Sequence, residues 1–200
     1  MTRAPREQQG RGTVGLLAGL AALSLLLSAA ASLQGSHRRR AVESASFGLA
    51  EKMRGLAVEA RSDGLSRALV FPETSGDEPL RVASDVAGDG ITREGISGGA
   101  DRSGRPFSLS IDQPGVRIGR LARDGLPDLP PSRRRLDPSG PAVRFGSSRL
   151  AVFTPEGHAT PGSLFVTDDG VGMCAIVVNG ATSRIRVWCL DPKERMWRRR

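Results

Sequence analysis

The sequence predicts an α+β protein: one long N-terminal helix packed on a C-terminal antiparallel β-sheet. Three observations carry this. Residues Thr13 to Leu33 run 21 positions without a charge. Val42, Ala45, Leu49, Met53, Leu56 and Ala60 then recur at spacings of three and four, one stripe of an amphipathic helix. Beyond Gly64 helical periodicity stops, and short apolar or alternating runs are separated by turn residues, as strands are.

Composition bounds the rest. The chain has 200 residues, 29 Lys+Arg against 21 Asp+Glu and a net charge of +8. Apolar residues make up 38 %, with no Tyr, two Trp and six Phe, while Gly and Pro number 25 and 13. That composition argues against a large core. Two Cys and two His argue against a disulfide-rich scaffold and against a His/Cys metal centre, so neither a metal nor a cofactor is expected.

Residues 1–12 read as a basic leader carrying Arg3, Arg6 and Arg11. Residues 13–36 read as a hydrophobic transmembrane or assembly helix, about 31 Å long over its uncharged run and so matched to a bilayer core of about 30 Å. Three processing schemes fit: a signal peptide cut after Ala31, an uncut anchor, or a short leader cut between Gly12 and Thr13. Each places the bulk of the chain outside the cytoplasm, although Arg38, Arg39 and Arg40 beyond the apolar run nearly balance the basic leader.

Residues 37–64 form the amphipathic helix, and Asp63-Gly64 is its stop signal. Joined through Gln34-Gly35-Ser36, the two helical stretches would make one rod on the order of 75 Å long. Residues 65–200 form the β-rich domain. Arg67 to Phe71, Phe107 to Ile111, Val143 to Phe145, Leu150 to Phe153 and Ser163 to Thr167 read as strands, and Thr154 to Gly157 and Asp168 to Gly170 as turns. An irregular Gly- and Pro-rich insertion occupies about 72–141, with five Pro between Leu126 and Pro141.

The last hairpin is the best defined. Four loop residues, Gly180 to Ser183, place Val178 opposite Ile185, Ile176 opposite Val187 and Cys174 opposite Cys189, all on one apolar face. Asn179, Arg184, Arg186 and Trp188 share the other. Directly opposed Cβ atoms lie about 4.5–5.5 Å apart, near enough for a disulfide between Cys174 and Cys189 in an oxidising compartment. Two small buried thiols are the alternative.

These elements carry a resemblance. Arg11-Gly12 before the apolar run, the stretch Ala50 to Ser62 and then RALVF resemble a type IV pilin-like protein. The turn with Phe153, Pro155 and Gly157, and the final strand with Arg184 and Arg186, resemble the GspH/FimT group of minor pseudopilins and minor pilins. Ser183 stands where that group commonly has Gly.

The resemblance implies a pilin-like fold and a non-enzymatic minor subunit of a type II secretion pseudopilus or a type IV pilus. It implies leader removal between Gly12 and Thr13 by a prepilin peptidase, and single-pass residence in the bacterial inner membrane with the globular domain in the periplasm or on the filament. Its partners would be other pilin-like subunits and the inner-membrane assembly platform. Leu17 stands where the group carries an acidic residue at the fifth mature position. A buried carboxylate must be paired, and a subunit at a filament tip has no neighbour to pair with. Leu17 therefore fits a tip subunit, or a chain that is not processed.

Two rival functions remain. The group's association with DNA uptake makes Arg184, Arg186, Trp188, Arg198, Arg199 and Arg200 candidate nucleic-acid contacts, since Arg beside Trp serves both phosphate and base stacking. Cleavage after Ala31 would instead release a secreted binding module. No catalytic constellation competes: His37 and His158 stand alone. Asp85 to Asp89 and Gly98 to Asp101 read as turns, too sparse in oxygen for a calcium loop.

Overall fold

The computed structural model describes residues 9–72, 79–132, 134–191 and 193–200; within its helices the side chains of 9–16, 18, 26, 27, 29–32, 111 and 112 lie outside the description. The leader 1–8 is likewise outside it.

Helix α1 spans Gln9–Asp63 without interruption. Two compact units divide the chain, 1–37 and 38–200. In the first unit α1 is a single helix. Its Ser24 and Ser28 hydroxyls donate back to the carbonyls of Ala21 and Leu25, so neither hydroxyl depends on water for a partner.

The expected localisation, a single-pass inner-membrane protein, is corrected here. Among the described residues no helix is long and apolar enough to cross a membrane. A bilayer demands about 20 consecutive, predominantly apolar residues. Beyond Leu33 the helix runs on into the charged residues Arg38, Arg39 and Arg40.

In the second unit the stripe predicted from spacing is the buried face of α1. Val42, Ala45, Leu49, Met53, Leu56 and Ala60 are all buried. They pack on two antiparallel sheets. The first has the order β3-β2-β1-β6, with β1 Arg67–Val70, β2 Arg81–Ser84, β3 Arg102–Ser103 and β6 Leu150–Phe153. The second has the order β10-β9-β8-β7-β4, with β4 Arg117–Ile118, β7 Gly162–Thr167, β8 Met173–Val178, β9 Ile185–Asp191 and β10 Met196–Arg199. A short strand β5, Val143–Arg144, also pairs with β7.

The main core joins the α1 stripe to Leu69, Ala151 and Phe153 of the first sheet and to Leu164, Val166, Ile176 and Val187 of the second. Phe71 and Phe145 stack within it at 5.1 Å. The reverse faces are buried too. Phe165, Ala175, Leu190 and Trp197 meet Leu121, Leu126, Leu129 and Leu136. Behind the first sheet, Ala68, Ala83 and Leu150 meet Ile91.

The composition argued against a large core, and the structure differs. Burial on both faces explains it: small residues such as Ala68, Ala83, Ala151 and Ala175 let the layers approach without large side chains.

The insertion at 72–141 is more ordered than expected. It supplies β2, β3 and β4, helix α2 at Arg93–Gly98 and helix α3 at Leu109–Asp112. Its Pro-rich part forms the lid over Phe165, where the Trp197 indole donates to the carbonyl of Pro127 at 2.8 Å. The alternation Phe107 to Ile111 predicted a strand; Phe107 makes only an isolated bridge to Leu80, and α3 begins directly after it. The Ser108 hydroxyl caps α3 by accepting from the Ser110 amide, a local bond that competes with a ladder.

Candidate functional site

In the first unit α1 presents Leu17, Leu20, Leu23, Leu25 and Leu33, each between 54 % and 70 % exposed. At 100° per residue these positions are spread around the whole helix rather than along one stripe. A helix apolar all round is normally buried on every side. Gly12 and Thr13 lie in the opening turns of the same helix, with side chains outside the description.

In the second unit the helix surface is tied to the last strands. The Arg54 guanidinium hydrogen-bonds Glu51 and donates to the carbonyl of Ile185 at 3.2 Å. Arg39 pairs with Glu43 at 3.2 Å, and Glu43 also receives Arg200 at 3.4 Å.

The last hairpin has the register derived from the sequence: Cys174 faces Cys189, Ile176 faces Val187 and Val178 faces Ile185. Cys174 and Cys189 form a disulfide. It belongs to the main core, the cluster that also holds Val42 and Leu49.

The basic residues of β9 and β10 are separated by their surroundings. Arg184 is exposed at the loop end. Arg186 is half-buried, and its Nε has no hydrogen-bond partner. Trp188 is half-buried against the cluster that holds Phe165 and Trp197. Arg198 pairs with Asp191 at 3.4 Å and with Glu194 at 2.5 Å, and the Glu194 hydrogen bond raises its pKa. Arg199 is exposed, while Arg200 is held by Glu43. Of the six residues, Arg198 and Arg200 are ion-paired and Trp188 is packed under the insertion.

The turn at Thr154 to Gly157 closes with the Gly157 amide donating to the Thr154 carbonyl at 3.0 Å, and Gly157 has φ +88°, a conformation that favours glycine. The Ser183 hydroxyl donates to the Gly157 carbonyl at 2.7 Å, fastening the hairpin loop to this turn. The neighbouring Thr154 side chain holds the Glu156 carboxyl below its ordinary value. His37 and His158 are both exposed.

One grouping was not legible in the sequence. Asp85, Asp89 and Asp101 come together, with one carboxylate oxygen from each within 4.8 Å of the others. It arises from the pairing of β2 with β3, which sets Ser84 opposite Arg102 and so brings the residues just beyond them side by side.

No protein-family model, curated protein or solved structure matches this chain.

Proposed function

We propose that the chain is a non-enzymatic, pilin-like assembly subunit that joins other pilin-like subunits through the first part of α1. The observation that carries this reading is the exposure of Leu17, Leu20, Leu23, Leu25 and Leu33 around the full circumference of that helix. A bundle of helices from other subunits buries such a surface on all sides. The same helix continues without a break into the core of the second unit, so an assembled helix carries its β-domain with it. The turn at Gly157 and the disulfide hairpin accord with the resemblance to minor pilins. Removal of residues 1–12 by a prepilin peptidase belongs to this reading, because it leaves Thr13 as the first residue of the assembly helix.

The test is site-specific photo-cross-linking in the full-length chain. A photoreactive residue at position 20 or 23 is expected to join the N-terminal helix of another pilin-like subunit, identified from the cross-linked peptide. The same residue at Val58, exposed on the second unit, serves as the comparison. Adducts that do not distinguish position 20 from position 58 would overturn the reading. The mature N-terminus, read by mass spectrometry with and without the peptidase, is expected to be Thr13 only when the peptidase is present.

A further inference from the structure

We infer that Asp85, Asp89 and Asp101 bind a calcium-sized divalent cation, a role independent of the proposed assembly through α1. The argument begins with burial. Asp85 is 5 % exposed and Asp101 is 3 % exposed. Two carboxylates side by side at the end of a strand pair repel each other, and burying a charge is costly unless it is paired. Among the described residues, no Lys or Arg forms an ion pair with Asp85, Asp89 or Asp101.

Backbone amides satisfy only part of the charge. Asp85 accepts from the Gly88 amide at 2.6 Å and the Gly90 amide at 3.0 Å. Asp101 accepts through Oδ2 from the Thr92 amide at 3.3 Å. Its Oδ1 is buried and accepts no hydrogen bond at all. That orphaned acceptor is the second, independent sign of a ligand, because buried polar atoms are nearly always partnered. The chain makes room for this carboxylate: a Cβ at Gly95 would lie 2.4 Å from Asp101 Oδ2.

The donor set favours calcium. One oxygen from each of Asp85, Asp89 and Asp101 lies within 4.8 Å of the others. Mg²⁺ usually takes only one or two carboxylates in strict octahedral geometry, whereas Ca²⁺ accepts several in flexible geometry. Three carboxylates form a hard, anionic oxygen set, and exposed Asp89 leaves the open side on which water completes the coordination. A bound cation would neutralise the two buried carboxylates and join the loop after β2 to the segment before β3.

The experiment is calorimetric titration of the full-length chain with CaCl₂ and, separately, MgCl₂, with thermal melts in EDTA and in CaCl₂. Saturable Ca²⁺ binding stronger than Mg²⁺ binding is expected, with a higher melting temperature in CaCl₂. Asp89→Asn is on the surface and should keep the fold while weakening Ca²⁺ binding roughly tenfold or more. Asp101→Asn should melt in EDTA at or above the wild-type temperature, because it removes a buried like charge, and should lose the calcium-dependent rise. Absence of saturable Ca²⁺ heat at millimolar concentration, or wild-type binding by Asp89→Asn, would overturn the inference. If Asp101→Asn does not fold, the Asp89→Asn titration decides alone.

Discussion

Two guanidinium groups lie over one ring. Arg120 sits 4.6 Å and Arg144 5.0 Å from the centroid of Phe165. They are not equivalent. Arg144 donates to the Asp128 carboxylate at 2.9 Å, so its charge is answered. Arg120 donates to the Asp137 carbonyl at 2.6 Å, but its Nε and Nη2 are buried without partners. Burial, then the neighbouring Arg144 charge, lowers the Arg120 pKa to about 10. A base whose folded pKa is lowered binds fewer protons folded than unfolded, so its contribution to stability rises with pH above about 10 and is unfavourable at neutrality. Arg144→Met, which strands the Asp128 carboxylate, should therefore cost about 1–3 kcal/mol. Arg120→Met should cost less than about 1 kcal/mol, since the orphaned donors leave with the charge. Urea denaturation of both variants checks the order; equal losses would refute it. None of this pairing was legible beforehand, because Arg120, Asp128, Arg144 and Phe165 lie on separate segments with no shared periodicity.

Elements differ in how far the sequence specifies them. The stripe from Val42 to Ala60 and the hairpin from Cys174 to Cys189 were legible, because each repeats a single period and buries one face. Strands β2, β3, β4 and β10 were not, because two to four residues carry no readable alternation and their partners are distant. The run Phe107 to Ile111 shows the converse failure: it alternates, yet the capping hydroxyl of Ser108 turns it into α3. The disulfide spans 15 residues of sequence and closes a hairpin whose ladder is already complete. Replacing Cys174 and Cys189 together by Ala should lower stability by about 2–4 kcal/mol, chiefly by freeing the unfolded chain. The measurement is the denaturation midpoint; a midpoint equal to that of the oxidised wild type would remove the disulfide as a stabilising element.

The surface carboxylates act on the whole molecule. Asp63 is held below its ordinary value of 3.8 by its hydrogen bond from Arg67. Asp137 is lowered by Ser139, and Asp191 by the Lys193 amide. Each lowered carboxyl contributes stability that is complete above its ordinary value and is lost as the pH falls through the folded value. The melting temperature should therefore be nearly flat in this respect between about pH 5 and 7 and fall below about pH 4. Melts from pH 7 to 2.5 check this, and a curve rising on acidification would contradict it.

The placement of the last strands also sets a timetable for synthesis. The stripe of α1 is complete once Ala60 has been made, but its partners Ile176, Val187 and Cys189 come more than 100 residues later, and Arg200, which pairs with Glu43, later still. At about 5–20 residues per second, the stripe waits on the order of ten seconds for the second sheet, with only Leu69, Phe71 and Leu80 of its core made early. The second sheet therefore closes over the stripe late, and the nascent helix needs shelter throughout that interval.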